Sequence, residues 1–262
     1  MLNAGGAFDY RGRRVIVTGC ASGIGAATAA LLVALGAEVY GLDRRPTAGL
    51  AGFQTIDLSD PGSIAGVALP ESIDALFNCA GLAPTQEADA IIRVNFLGTR
   101  DLTNRVAARM RAGGAIVGTA SNGGLGWAAR LEDHRGFIAT DGFDAGWDWY
   151  DAHRDTVTNA YAFAKEALTV WTFEAAQRLI ARGIRVNCTS PGAVATPMLA
   201  EIEGRVPAAA INATTRPIGR RATPEEQAWP LLWLNSPAAS YINGVNLPVD
   251  GGFAAARSLG GR

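Results

Sequence analysis

The feature that most constrains the fold of this chain is a glycine-rich turn joining a β-rich run to a helix-forming run. Residues 14–18 are mostly β-branched, and residues 23–35 are rich in Ala and Leu. Because glycine has no Cβ, a backbone that contains it can turn sharply and approach another group closely. A helix that follows presents free N–H groups to an anion, so the turn predicts a pyrophosphate-binding loop. Its residues are Gly19, Ser22, Gly23, Ile24 and Gly25.

Strand-like and helix-like runs alternate along the rest of the chain. Strands are predicted at residues 14–18, 38–42, 53–56, 73–78, 114–119, 184–189 and 245–249, and helices at 23–35, 91–110, 157–181 and 224–235. Thr223 and Pro224 mark the start of the last helix as its N-cap and first-turn proline. The alternation predicts an α/β fold: a single doubly wound Rossmann-type domain over residues 1–262. It would contain a seven-stranded parallel sheet with helices on both faces.

Residues 124–156 interrupt this alternation, because their apolar positions follow neither a period of 2 nor one of 3.6. The segment contains several aromatic residues, many acids, and the only two histidines, His134 and His153. A long segment of this kind in a compact domain is usually functional. We therefore expect an insert that forms a wall or lid of the active site, the alternative being a surface excursion packed on the body. The histidines match no metal-ligand spacing and are expected to be solvated, so no metal is predicted.

Asp43 ends the second predicted strand, 18 residues after Gly25. A carboxylate there can accept hydrogen bonds from the ribose hydroxyls of a dinucleotide and would repel a 2′-phosphate. Arg44 follows directly and could bind such a phosphate instead. NAD is therefore the predicted cofactor, with NADP as the alternative.

Tyr161 and Lys165 are four residues apart in the predicted helix over 157–181, so they share one helical face. A neighbouring ammonium favours the phenolate, which would lower the pKa of the tyrosine from its usual value of about 10. The pair is a candidate general acid/base. Alone it is weak support, because such pairs also occur on ordinary helix surfaces.

Charge and composition argue against several classes of partner. The formal net charge is -1 and no long basic run exists, so neither nucleic acid nor a polybasic membrane contact is expected. No stretch of about 18 apolar residues predicts a membrane span, and residues 1–6 lack the pattern of a secretory signal. Three cysteines without staple-like spacing indicate reduced thiols and a cytoplasmic protein.

Taken in order, these motifs resemble the short-chain dehydrogenase/reductase superfamily in its compact single-domain form, over about residues 8–253. The other matching pieces are Asp57-Leu58, Asn78-Cys79-Ala80-Gly81, Asn95, Ser121, Pro191-Gly192 and Val249-Asp250-Gly251-Gly252. The run over residues 19–28 and the long spacing between Ser121 and Tyr161 are similar to bacterial 3α-hydroxysteroid dehydrogenase/carbonyl reductases and coniferyl-alcohol dehydrogenases.

The resemblance implies an enzyme that moves hydride between a nicotinamide and a small-molecule alcohol or carbonyl compound. Tyr161 would exchange a proton with the substrate oxygen, and Ser121 would hydrogen-bond that oxygen. Lys165 would bind the nicotinamide ribose and lower the pKa of Tyr161, and Asn95 would hold a relay water. Further cofactor contacts are implied for Asp57, Leu58, Asn78, Ala80, Gly81, Pro191, Gly192, Val194 and Thr196.

The substrate pocket would lie between Ser121 and Tyr161, the insert and residues 198–209, and it would include Asn122, Trp127 and Met198. Their character favours a bulky apolar substrate such as a hydroxysteroid, a terpenoid or a phenylpropanoid alcohol. A homodimer or homotetramer is implied by the resemblance, although Ser121 and Tyr161 are 40 residues apart and the insert puts the usual helix interface in doubt. The alternatives are an NADP-dependent carbonyl reductase, a non-catalytic NAD-binding regulator, and an epimerase or dehydratase of the extended branch.

Overall fold

Seven parallel strands form one sheet in the order β3-β2-β1-β4-β5-β6-β7. The computed structural model describes residues 8–260, so residues 1–6, interpreted above as lacking a secretory signal, lie outside it. The strands are β1 (Arg14–Thr18), β2 (Glu38–Asp43), β3 (Gly52–Thr55), β4 (Ile73–Asn78), β5 (Met110–Thr119), β6 (Arg185–Pro191) and β7 (Asn246–Val249). The predicted α/β fold is confirmed. The strand order reverses between β1 and β4, which opens a crevice at the carboxyl ends of the strands.

Helices cover both faces of the sheet. They are α1 (Gly23–Ala34), α2 (Pro61–Ala65), α3 (Ala88–Ile92), α4 (Thr99–Ala108), α5 (Leu131–Ile138), α6 (Gly142–Ala152), α7 (Ala160–Leu179), α8 (Pro197–Glu203), α9 (Ala208–Ala213), α10 (Pro224–Asn235) and α11 (Phe253–Ser258). One apolar cluster packs α1 and α10 on the sheet, and the other packs α4, α7 and residues of the insert. Thr223 caps α10 as predicted, in a reciprocal capping box with Glu226. Within residues 8–260, no helix has the length and apolar character that a bilayer crossing requires.

The helix predicted over residues 91–110 is three consecutive segments. A π-helical stretch, Arg93–Gly98, separates α3 from α4, and Met110 already belongs to β5. Such stretches are rare and frequently lie at functional sites. This one contains Asn95 and lies beside the crevice.

The insert over residues 124–156 consists mainly of helices, α5 and α6, although it shows no helical period in the sequence. Phe137 of α5 packs on Phe96 and Phe163, with ring centres 4.7 and 5.4 Å apart. Arg100 donates to the carbonyl oxygens of Ile138 and Gly142, and so fastens the turn between α5 and α6. The insert is therefore part of the packed body.

Helix α7 is consequently covered around most of its circumference. From Phe163 to Thr172 every residue is buried, with the sheet on one side and the insert on another. An amphipathic surface helix would instead alternate buried and exposed positions.

Candidate active site

A cleft of about 820 Å³ opens at the carboxyl ends of the strands. It brings together most of the residues predicted to contact a cofactor. These are Gly19, Ser22, Gly23, Ile24, Asp43, Arg44, Asp57, Leu58, Ala80, Gly81, Tyr161, Lys165, Pro191, Gly192, Val194 and Thr196. They come from the carboxyl ends of the strands, from the loops that follow them and from α7, and hydrogen bonds and close packing fix several of them.

The glycine turn after β1 has the geometry that close backbone approach requires. Gly19 has φ +69°, and a Cβ there would lie 2.8 Å from the backbone of Ala80. A Cβ on Gly25 would lie 2.1 Å from the carbonyl oxygen of Gly19. Gly25 itself does not line the cleft, so its contribution is to shape the turn. The floor of the cleft thus consists of backbone without side chains, as a pyrophosphate at a helix N-terminus needs.

Asp43 is held at the cleft by two backbone hydrogen bonds. Its Oδ2 accepts from the Ala21 N–H at 3.0 Å, and its Oδ1 accepts from the Arg45 N–H at 2.9 Å. Each carboxylate oxygen keeps lone pairs for a ribose hydroxyl. Arg44 and Arg45 also line the cleft, so both signs of charge face this end.

Tyr161 and Lys165 share the face of α7 that lines the cleft. The helix begins at the N-cap Asn159, whose Oδ1 accepts from the Ala162 N–H at 3.0 Å. The Lys165 ammonium lies 6.0 Å from the centre of the Tyr161 ring and donates to the carbonyl oxygen of Thr119 at 2.6 Å. Burial lowers the pKa of Lys165 to about 8.

The structure does not show the predicted lowering of the Tyr161 pKa by Lys165. Burial raises the pKa of Tyr161, and the hydrogen bond from the Ser121 side chain opposes this rise. Ser121 follows β5 by two residues, and its Oγ accepts from the Gly123 N–H at 3.0 Å. A Cβ on Gly123 would lie 3.4 Å from both the Ser121 Oγ and the Tyr161 ring, so the two side chains lie close together although 40 residues separate them in the chain.

Asn95 lies behind the cleft wall and does not line it. Its Oδ1 accepts from the Leu82 N–H at 2.7 Å, and its Nδ2 donates to the Leu82 carbonyl at 3.0 Å. Beside it, a Cβ on Gly81 would lie 3.3 Å from that Oδ1 and 3.7 Å from the Lys165 Nζ. Asn95 thus fixes the loop after β4 directly next to Lys165.

Besides Gly25 and Asn95, two more predicted site residues lie outside the cleft. Asn78 points away from it, with its Nδ2 donating to the Thr103 Oγ1 at 2.8 Å, because the last side chain of β4 faces α4. Trp127 was expected in the substrate pocket, but its ring packs edge-on against Phe173 at 5.2 Å. No residue of the segment 124–156 lines the cleft, whose lining ends at Gly123 on this side, so its expected role as an active-site wall or lid stays a prediction.

The prediction that His134 is a solvated loop residue is also wrong. Its ring is fully buried, and its Nε2 lies 2.9 Å from the Glu166 Oε2. His153, in contrast, is exposed as expected. Among residues 8–260, no cluster of three or more His, Cys, Asp or Glu side chains is arranged to hold a metal ion.

Several lining residues were not predicted from the sequence. Asn122 and Met198 line the cleft, together with mostly apolar residues from the loop after β4, from α8 and from the end of α9. Leu199 and Ile202 belong to residues 198–209, the region expected to border the pocket, whereas Leu82, Pro84, Ile211 and Thr214 were not predicted. Thr18 was missed as well; its Oγ1 accepts from the Cys79 and Ala80 N–H groups, both at 3.1 Å.

The doubly wound sheet, the glycine turn and one cleft that holds Ser121, Tyr161 and Lys165 define a nicotinamide-dependent oxidoreductase of the single-domain type. Comparison with known proteins specifies the family. Residues 13–130 match the family described as short chain dehydrogenase, and residues 152–254 match the one described as enoyl-(acyl carrier protein) reductase.

Whole-chain relatives agree with this classification. The chain is 39% identical to the coniferyl-alcohol dehydrogenase of Pseudomonas sp. (strain HR199 / DSM 7063), over 92% of this chain and 96% of that protein. It is 31% identical to the 3-alpha-hydroxysteroid dehydrogenase/carbonyl reductase of Comamonas testosteroni, with the same two coverages. The crystal structure of the 3-alpha-hydroxysteroid dehydrogenase from Pseudomonas sp. B-0831 complexed with NADH superposes with a TM-score of 0.79, at 30% identity, covering 94% of this chain and 98% of that one. The chain belongs to the short-chain dehydrogenase/reductase family of NAD(P)-dependent enzymes.

Proposed function

We propose that this protein is an NAD-dependent dehydrogenase for a bulky apolar secondary or aryl alcohol, or for the matching ketone or aldehyde. The observation that carries the proposal is the cleft beside Ser121 and Tyr161, whose substrate-side lining is almost entirely apolar. A hydroxysteroid, a terpenoid or a phenylpropanoid alcohol fits such a lining. The named activities of the two relatives, on coniferyl alcohol and on 3-alpha-hydroxysteroids, fall in the same range.

We assign the proton chemistry to the side chains that meet in the cleft. In alcohol oxidation, Tyr161 takes the hydroxyl proton while the Ser121 hydroxyl hydrogen-bonds the same substrate oxygen. The bound nicotinamide supplies the hydride acceptor or donor. Lys165 orients the ribose of the cofactor and stabilises the Tyr161 phenolate, and Asn95 holds the neighbouring loop, where it supports a water that links Lys165 to solvent.

We infer NAD as the cofactor because the Asp43 carboxylate is fixed at the end of the cleft where the adenosine ribose would lie. A 2′-phosphate there would meet this negative charge. Arg44 and Arg45 favour the opposite choice, an NADP-dependent carbonyl reductase, and this is the second candidate.

The test is an absorbance assay of purified protein with NAD or NADP and a panel of hydroxysteroids, terpenoid alcohols and aryl alcohols. NADH formation with one of these classes supports the proposal. Turnover with NADP alone would support the second candidate. No turnover with any of them, while NAD still raises the melting temperature, would reject the proposed substrate class and leave the cofactor site as inferred.

A further inference from the structure

A buried carboxylate next to the proposed catalytic lysine fastens the start of the insert to α7. The Glu166 side chain is 5% exposed, and its Oε2 accepts from the Arg130 Nε at 3.0 Å and from the Arg130 Nη2 at 2.6 Å. The same oxygen lies 2.9 Å from the His134 Nε2. Since a carboxylate only accepts hydrogen bonds, this contact places the histidine proton on Nε2. We call Arg130, His134 and Glu166 the clamp.

The segment held by the clamp runs along α7 from Tyr161 to Glu166. A Cβ on Gly123 would lie 3.4 Å from the Tyr161 ring, and one on Gly124 would lie 2.9 Å from the backbone of Lys165. A Cβ on Gly126 would lie 2.9 Å from the Glu166 Oε1. Three glycines thus allow residues 121–126 to touch the helix directly, with Ser121 at one end and the clamp at the other.

The burial of its polar groups indicates that the clamp does more than join the insert to α7. His134 is fully buried against the Phe163 ring, with ring centres 4.7 Å apart, and its Nδ1 has no hydrogen-bond partner. Burying ionic and polar groups in this way gives weak stabilisation compared with well-packed apolar side chains, whereas it fixes a specific geometry.

We propose that Glu166 is a positioning residue, which through Arg130 and His134 sets the register of residues 121–126 on α7 and so holds the Ser121 hydroxyl against Tyr161. The catalytic consequence rests on the proposed function. A displacement of about 1 Å in a reacting group lowers rates by about 100-fold. Loss of the clamp is therefore expected to lower kcat and to leave cofactor binding unchanged, because the glycine turn and Asp43 lie elsewhere.

The test compares Glu166→Gln with Glu132→Gln, which removes a carboxylate from an exposed ion pair with Arg135 in the same insert. Amide hydrogen exchange of the peptide that covers residues 121–126 is the readout that needs no substrate. We expect exchange at least tenfold faster in Glu166→Gln and unchanged in Glu132→Gln. Unchanged exchange in both would overturn the proposal.

With an alcohol that the wild-type enzyme oxidises, kcat of Glu166→Gln should fall at least tenfold while the Kd for NAD stays within twofold. Arg130 is the partly exposed member of the clamp, with 27% of its side chain accessible. Arg130→Gln should lower kcat several-fold, and Arg130→Lys should recover most of the loss. These two variants also test the proposal if Glu166→Gln does not fold. Equal kcat in Arg130→Gln and wild type, or a parallel loss of NAD binding, would show a purely structural role.

A wild-type enzyme without turnover would contradict the proposed function only, because the exchange measurement still tests the clamp.

Discussion

The Lys165 ammonium lies 2.6 Å from the carbonyl oxygen of Thr119, the last residue of β5. This bond joins α7 to the sheet strand that leads to Ser121. The Lys165 side chain is only 5% exposed at the edge of the cleft, with Cys79 and Cys188 among its neighbours, which is a costly place for a positive charge.

Lys165→Met should therefore stabilise the cofactor-free protein while abolishing turnover. The pKa of Lys165 is lowered from 10.5 to about 8 in the fold, so below pH 8 the lysine is charged in both states and the full desolvation penalty applies. Above pH 10.5 it is neutral in both states and the penalty vanishes. We expect the variant to gain about 1–3 kcal/mol in unfolding free energy at pH 7 and much less at pH 10, measured by denaturant titration. A gain that does not change with pH would mean that packing, rather than charge, causes it.

Tyr161→Phe should lower kcat by a factor of about 100 to 10,000, because it removes the hydroxyl that exchanges the proton and keeps the ring. The Kd for NAD, measured by fluorescence titration, should stay within about twofold. Tyr150→Phe in the insert is the matched control and should leave kcat unchanged. If Tyr161→Phe retains more than a few per cent of the activity, another group carries the proton.

Asp43→Asn should increase the ratio of kcat/KM for NADP to that for NAD by about tenfold or more. The substitution keeps the shape of the side chain and removes the charge that a 2′-phosphate would meet, an interaction of about 1–4 kcal/mol between surface and partly buried charges. Glu38→Gln, at the opposite end of β2, removes an equal charge outside the cleft and should leave the ratio as it is. A wild-type enzyme that already prefers NADP would refute the premise.

Met198→Ala should raise the KM for an apolar alcohol several-fold, because Met198 lines the cleft. Trp127→Ala should leave this KM unchanged and instead lower the unfolding free energy by about 1–3 kcal/mol, because its ring packs on Phe173 outside the cleft. Steady-state kinetics and thermal unfolding of both variants separate the two effects. A substrate-dependent change in KM for Trp127→Ala would mean that the insert contributes to the substrate pocket.

Gly25→Ala should lower the unfolding free energy by about 2–4 kcal/mol and weaken NAD binding, since the added methyl would meet the fixed carbonyl oxygen of Gly19 at 2.1 Å. Gly66→Ala introduces the same methyl where the nearest backbone atom lies at 3.5 Å and φ is -77°. That control should be neutral or stabilise by up to about 1 kcal/mol. Equal losses in the two variants would mean that the turn after β1 tolerates a side chain.

The parts of the site that were predictable are those encoded locally. The turn at Gly19, the strand end at Asp43 and the helical pair Tyr161–Lys165 each follow from residue type and short spacing. The Asn78 side chain lies outside the cleft, because the direction of the last side chain of a strand depends on the helix that packs on it, here through Thr103 of α4. The apolar lining from Ile211 escaped prediction, because α9 is a short helix without a clear period.

The packing of the insert was unpredictable for a different reason, because it depends on contacts with residues far away in the chain. Its aromatic residues and acids suggested a lid, whereas the rings of Phe137 and Trp127 lie against α7 and its neighbours. The burial of His134 depends on Glu166, which is 32 residues away, so no local pattern could reveal it.

The enclosure of α7 also bears on the solubility of the protein. If residues 124–156 were excised and the ends rejoined, α7 would expose a continuous apolar strip that includes the rings of Phe163 and Phe173. The Glu166 carboxylate would also lose its ion pair with Arg130. An exposed apolar strip favours association in water, so the shortened chain would self-associate or precipitate. Residues 124–156 thus cover apolar surface of α7 that would otherwise be open to contact with another molecule.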